Sequence, residues 1–249
     1  MNLDDIPRNR LYGDLAWLWP YLSFPEDYAE EASHWRDALR DKLDDGRHHI
    51  LELGVGGGNN LSHLTCDFDA TAVDLSQGML AHSKKLNPSV DHHVGDMRSV
   101  RLGRTFDAVI IHDAIDYLLS EEDIRKTLQT ASVHLKTGGI LVTAPDYFVE
   151  TFHSPDVSMQ TKSRDGIELA FTQYGYRSSE DSPIVENIMT YFILRDGKLT
   201  VELDRHTTGL FSLMAWQRLF EDGGFAFETH EYPVHDDKRQ AYLLVGIKE

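Results

Sequence analysis

The stretch ILELGVGGGNN, residues 50–60, places four glycines within eleven residues directly behind an apolar run. Glycine lets the backbone turn with φ > 0 and lets a ligand approach where a Cβ would otherwise stand. Ile50, Leu51 and Leu53 read as a buried strand, and Asn60, Leu61, His63 and Leu64 as the opening of a helix. The glycines therefore occupy a strand-to-helix turn, of the kind that commonly binds a nucleotide-like ligand.

The text around this turn alternates. Strand 49–53, helix 59–65, strand 70–74, helix 77–86, strands 91–94 and 106–111, helix 121–134 and strand 139–144 predict a parallel sheet built from βαβ units. Gly138-Gly139 reads as the C-cap that turns the helix into the next strand. Upstream, Ser23-Phe24-Pro25-Glu26 fits a capping box opening a structural helix through Tyr28, Ala32, Trp35 and Leu39. Residues 11–24 crowd Tyr12, Trp17, Trp19, Tyr21 and Phe24 together, as a helix packed on the domain or as an aromatic lid over a pocket. After Pro145 the period changes: 167–176, 184–194 and 198–207 read as antiparallel strands, with a hairpin turn at Arg195-Asp196-Gly197-Lys198. A helix near 213–222 and strands near 225–232 and 240–247 finish the chain. This divides it into an N-terminal aromatic segment (1–47), a ligand-binding core (48–145), an antiparallel insertion expected to cover the binding edge (146–208) and the rest of the core (209–249).

A chain of 249 residues carrying a formal charge of -17 is poorly suited to a phosphate backbone or an anionic membrane, because it offers few cations to displace condensed counterions. No nucleic-acid or membrane partner is expected. The opening MNLDDIPRNR has no apolar core of a signal peptide, which predicts a cytoplasmic protein. Cys66 is the sole cysteine, so no internal disulfide is possible; beside Leu64 and Phe68 it reads as a core residue.

A dinucleotide fingerprint needs G-x-G-x-x-G, whereas Gly54-Val55-Gly56-Gly57-Gly58-Asn59 ends in asparagine. Glu52-Leu53-Gly54-Val55-Gly56-Gly57-Gly58, an acid ahead of G-x-G-x-G, instead resembles motif I of the class I S-adenosylmethionine-dependent methyltransferases. Asp74 follows about 20 residues later, where a carboxylate can take both ribose hydroxyls. Gly95-Asp96-Met97 resembles the family's adenine site. The resemblance implies a Rossmann-like, seven-stranded, mainly parallel sheet with helices on both faces, the last strand antiparallel, and an antiparallel insertion after the fifth strand. It implies S-adenosylmethionine as cofactor, held by Glu52, Gly54, Gly56, Gly58, Asn59, Asp74, Leu75, Met79, Asp96, Met97 and His112. More loosely, GDMRSVRLGRTF, VETF and TTGLFSLMAWQRLFEDGGF resemble the methyltransferases that dimethylate the amine of nucleotide-linked amino-sugars. The sequence departs from that subgroup at His112-Asp113, and has Tyr117 near where the subgroup has a histidine.

Methyl transfer from a sulfonium is an in-line displacement, so holding the acceptor and excluding water are the main tasks. A general base is needed only if the acceptor arrives protonated. His112, ending the fourth strand, and Tyr12 are the candidate catalytic residues; His112 is equally readable as a wall of the cofactor site. Asp113 and Asp116 read as caps of the helix near Glu121, or as attractors of a cationic amine; His153 and His206 are weaker candidates. The doublets His48-His49 and His92-His93 place neighbouring rings on opposite sides of a strand, and no metal site is expected. The activity expected is methyl transfer to an amine or hydroxyl of a small molecule, against two alternatives: a non-catalytic S-adenosylmethionine-binding protein and a dinucleotide-dependent oxidoreductase. The oligomeric state is not legible.

Overall fold

The computed structural model describes residues 3–233 and 241–249. Strands β1 (His48–Leu53), β2 (Phe68–Asp74), β3 (Asp91–Val94), β4 (Phe106–Ile111) and β5 (Leu135–Thr143) run parallel, and β10 (Phe225–Glu231) and β11 (Tyr242–Lys248) complete a seven-stranded sheet in the order β10-β11-β5-β4-β1-β2-β3. β11 is antiparallel to both its neighbours. The strand read from residue 240 thus begins at Tyr242, and position 240 lies outside the described residues.

Alternation along the strands explains why both faces are covered. Ile50, Ala108 and Ile110 belong to one apolar cluster with Trp35 and Leu39; Leu51, Leu53, Val109 and Ile111 belong to the other with Ile124, Leu128 and Trp216. The helices supplying these residues are α2 (Ala29–Lys42), α5 (Glu121–His134) and α6 (Leu213–Asp222); the others are α1 (Trp19–Leu22), α3 (Asn59–Ser62) and α4 (Gln77–Leu86). Serine caps start three of them: Ser76, Ser120 and Ser212 each accept from the N–H three residues on. Ser120, then, caps the helix assigned above to Asp113 or Asp116.

Strands β6 (Asp156–Arg164), β7 (Ile167–Tyr176), β8 (Ile184–Arg195) and β9 (Lys198–Gly209) form a separate four-stranded antiparallel sheet. β6 escaped the sequence reading, although Arg164-Asp165-Gly166 repeats the Arg-Asp-Gly of the next hairpin: Asp165 and Asp196 have φ of 51° and 52°, and Gly166 and Gly197 of 78° and 73°. The N-terminal segment lies on this sheet through Leu11, Leu15, Leu18 and Leu22 against Ile167, Leu169, Tyr191 and Ile193.

Three local expectations are corrected. Ser23 does not cap α2; its hydroxyl bonds Tyr28 Oη, and a 3-10 turn at Pro25–Tyr28 precedes the helix. Gly138 and Gly139 are no helix cap, since α5 ends at His134 and the pair lies within β5, where the register to β4 shifts. Cys66 is exposed, because α3 stops at Ser62 and the chain leaves the core before β2.

Candidate active site

The carboxyl edge of the parallel sheet opens into a cavity of about 510 Å³, where open α/β sheets bind their ligands. The glycine turn forms its floor. Gly54 N–H donates to Val73 O at 2.7 Å, tying the turn to the end of β2, and Gly54 has φ of 80°. A Cβ on Gly54 would stand 2.2 Å from Cβ of Ala114, and one on Gly57 would stand 1.9 Å from Trp19 Nε1. The turn is thus clamped between the chain after β4 and the N-terminal segment.

Around the turn, buried polar atoms lack partners. Glu52 is 1% exposed and its Oε2 makes no hydrogen bond, as is also true of Trp19 Nε1 and both amide atoms of Asn60. Burial pushes the Glu52 carboxyl up to about 8, against the attraction of His112. All three residues line the cavity. Orphaned buried groups of both hydrogen-bonding senses are costly unless a ligand satisfies them, and the ammonium and carboxylate of a methionine moiety present the complementary atoms.

Asp74 lies across the turn. Its two oxygens accept from Gly56 N–H at 2.8 Å and Ser76 N–H at 2.7 Å, which fixes the carboxylate at the cavity wall beside the exposed Leu75. Burial raises its pKa, partly offset by those two N–H groups. Ser76, not Asp74, caps α4. Met97 and Gly95 also line the cavity, as do Gly56, Gly58 and Asn59. Two expected cofactor residues do not. Asp96 is turned away, bonded to Arg98 at 2.7 Å, and Met79 is fully buried beneath the turn. Asp96 sits between the lining residues Gly95 and Met97, whereas Met79 lies one turn of α4 below the lining residues Leu75 and Ser76.

His112 is 7% exposed and held between two carboxylates, with Nδ1 at 2.6 Å from Asp113 and Nε2 at 3.5 Å from Glu31. Its ring lies 5.1 Å from that of Trp35 and 6.1 Å from that of Tyr28. Burial disfavours the imidazolium, but Asp113 and Glu31 together outweigh it and raise the pKa well above the ordinary value. Nε2 makes no hydrogen bond, and the two carboxylates favour a proton on the ring, which works against a role as general base. Glu31, His112 and Asp113 bring possible ligand atoms within 4.8 Å of one another, the one such group among the described residues. The two carboxylates approach opposite ring nitrogens, the arrangement of an ion-pair chain rather than of a shared ion. Helix α2, expected to be structural only, thus supplies Glu31 and Trp35 to the site.

A second, smaller cavity of about 160 Å³ adjoins the first, and Tyr12, Asp113 and Tyr117 line both. The insertion walls it with Gln173, Asn187, Met189 and His206, and the chain after β5 adds Asp146 and Tyr147. Asp116 Oδ2 accepts from Asp146 N–H at 3.0 Å; burial and the Asp146 charge push the Asp116 carboxyl well up. Tyr117 Oη lies 3.1 Å from Tyr12 Oη and 2.5 Å from His206 Nδ1, and His206 Nε2 lies 2.7 Å from Asp204. Of the other aromatic and histidine candidates, Trp17 is 42% exposed against Tyr21, and His153 is exposed; neither lines a cavity.

The profile of a methyltransferase domain matches residues 50–139. Over 215 residues the chain is 32% identical to the dTDP-3-amino-3,4,6-trideoxy-alpha-D-glucopyranose N,N-dimethyltransferase of Streptomyces venezuelae, covering 85% of this chain and 89% of that protein. It is 27% identical over 233 residues to the dTDP-3-amino-3,6-dideoxy-alpha-D-glucopyranose N,N-dimethyltransferase of Streptomyces fradiae, with 89% and 88% covered. The crystal structure of DesVI from Streptomyces venezuelae matches with a TM-score of 0.80 at 30% identity, over 95% of this chain and 96% of that one. With the glycine turn, the unpartnered Glu52 and the covering insertion in place, these similarities settle the family: the chain belongs to the class I S-adenosylmethionine-dependent methyltransferases that act on small molecules.

Proposed function

We propose that the chain methylates the primary or monomethyl amine of a nucleotide-linked amino-sugar. The observation that carries this reading is the charge of the smaller cavity: Asp113, Asp116 and Asp146 line it, and no Lys or Arg does among the described residues. Burial, and after it the Asp146 charge, pushes the Asp116 carboxyl up; a cationic amine offsets both, whereas a neutral hydroxyl does not. The similarity to two amino-sugar N,N-dimethyltransferases over most of their length supports the same class.

Bound S-adenosylmethionine supplies a methyl group on a positively charged sulfur. Of the residues lining the larger cavity, Glu52 would hold its methionine ammonium, Trp19 Nε1 and Asn60 its carboxylate, Asp74 the ribose hydroxyls, and Leu75 and Met97 the adenine. The N-terminal segment (1–47) and the insertion (146–208) close over the acceptor and keep water out, which is the main contribution to an in-line displacement. Arg8, exposed and lining the larger cavity, is the sole Lys or Arg lining either cavity among the described residues, and its guanidinium would pair with the acceptor's diphosphate.

Steady-state kinetics on a panel of dTDP-linked amino-sugars and their hydroxy counterparts tests this. Asp116→Asn is expected to raise the KM for the amine about tenfold or more, as a buried charge-assisted contact is lost, with S-adenosylmethionine affinity within about twofold of wild type. Arg8→Ala should raise the KM of the nucleotide-linked sugar but not that of the free amino-sugar. Comparable kcat/KM for hydroxy sugars would overturn the amine assignment.

A further inference from the structure

We propose that Tyr12, Tyr117 and His206, with Asp204 behind them, form a relay that takes the proton from the acceptor ammonium before methyl transfer. The proposal rests on the amine reading above. An alkylammonium has no lone pair at neutral pH, so N-methylation requires a proton to leave first, and the His112 Nδ1 atom is already taken up by Asp113 at 2.6 Å.

The four residues form one continuous chain running from the junction of the two cavities into the insertion. Tyr12 lines both cavities, as does Tyr117, and His206 and Asp204 are 1% and 0% exposed. Asp204 accepts backbone N–H groups from Arg10 at 2.9 Å and Leu11 at 2.8 Å, besides the His206 ring at 2.7 Å. Burial works against its charge, but His206 and those N–H groups prevail and hold it below the usual carboxylate range. An ionised carboxylate only accepts, so His206 carries its proton on Nε2 and turns the Nδ1 lone pair to Tyr117. Burial pushes both tyrosine pKa values up, so the phenols keep a proton and can pass one on. Ser76 Oγ donates to the Tyr12 carbonyl at 2.6 Å, so the residue at the head of the chain is anchored to the cap of α4, next to Asp74.

The step balances. The acceptor N–H proton passes to Tyr12 Oη, the Tyr12 proton to Tyr117 Oη, and the Tyr117 proton to His206 Nδ1. Both tyrosines end as phenols and His206 ends as an imidazolium neutralised by Asp204. The freed nitrogen lone pair then forms the N–C bond as the C–S bond breaks. In the structure Tyr117 O–H donates to Tyr12 Oη at 3.1 Å, the direction left once the relay has discharged into His206; before transfer both hydroxyls turn, so that Tyr12 donates to Tyr117 and Tyr117 to His206 Nδ1. The groups around His206 are these. Asp204 lies on its own strand, while Asp113, Asp116 and Asp146 line the cavity it faces. The nearby Arg10 guanidinium is spent on Asp14 and Glu202, and Asn187, opposite on β8, is neutral.

The test compares wild type with Tyr117→Phe, which removes one oxygen and preserves the packing, and with His206→Gln and the double variant, all as full-length protein. Turnover of the amino-sugar at neutral pH should fall about 10- to 100-fold in each, and the deficit should shrink as pH rises toward the amine's own pKa. The double variant should be no slower than the slower single variant, and monomethyl product should accumulate because the second transfer needs a second deprotonation. A pH-independent deficit, or multiplicative losses in the double variant, would overturn the relay. Imidazole 15N NMR on the free protein reads the relay without any acceptor: His206 is expected as the Nε2–H tautomer, with a Nδ1 signal displaced in Tyr117→Phe. An Nδ1–H tautomer at neutral pH rejects the proposal. Failure of the acceptor reading shows separately, as a wild-type enzyme that leaves every amine in the panel unmethylated at all pH values, and this rejects both.

Discussion

A Gly54→Ala variant is expected to lose measurable affinity for S-adenosylmethionine by calorimetry while keeping its parallel sheet by circular dichroism. Two costs coincide at this position. The backbone has φ of 80°, which costs an L-residue roughly 1–2 kcal/mol. The new Cβ would also meet Ala114 Cβ at 2.2 Å, and a methyl group has no alternative rotamer by which to move aside. Relief requires shifting either the turn, which carries the Val73 contact and half of the Asp74 anchorage, or the segment after β4, which carries His112 and Asp113. Overpacking of this kind costs about 1–3 kcal/mol more, and displacement of the turn removes the cradle itself. The Gly54→Ala/Ala114→Gly double variant should recover part of the binding, since it removes the clash and leaves the φ cost. Wild-type affinity in the single variant would refute the close-approach reading.

The second large effect belongs to Glu52→Gln. The carboxyl is pushed up to about 8 in the fold and has an ordinary value of 4.5 when unfolded. The folded chain therefore binds more protons between these limits. Its contribution to stability is complete below 4.5 and is lost as pH rises through about 8. Without ligand, Glu52→Gln should melt at a higher temperature than wild type at pH 8, with a stability difference on the order of a few kcal/mol that vanishes toward pH 5. With S-adenosylmethionine the order reverses. An ammonium ligand pairs with the ionised carboxylate, so wild-type affinity should increase with pH up to about 8, and the variant should bind about 10- to 100-fold more weakly there. Calorimetry across pH, with thermal melts of the free protein, decides the matter. A free variant less stable than wild type at pH 8 would show that Glu52 is satisfied in the fold and not awaiting a cation.

The alternation of strands and helices from His48 to Thr143 was readable because each element carries its own period and each strand end its own turn residues. Glu52, the glycines and Asp74 belong to this local class: their backbone neighbours within a few positions place them. Asp204 and His206 were in principle legible too, since residues two apart in a strand share a face. Other placements depended on packing. Asp96 is bonded to Arg98 and Met79 is buried beneath the turn, so neither lines the cavity. Cys66 next to apolar residues looked like core, yet the turn after α3 exposes it.

By itself, the sequence determined the order of the elements, the glycine turn and hence the cofactor class, because these depend on contacts between near neighbours and on backbone conformations few residues adopt. The surroundings of His112 and the chain from Tyr12 to Asp204 were decided only by the tertiary structure. Glu31 and His112 lie far apart in sequence, as do Tyr12 and His206, and no local pattern records that α2 and the insertion fold back over the same strand ends. A carboxylate from α2 at 3.5 Å, or a phenol between a tyrosine and an imidazole, changes what a side chain can do by altering its electrostatic surroundings, and those surroundings exist only once distant segments have packed.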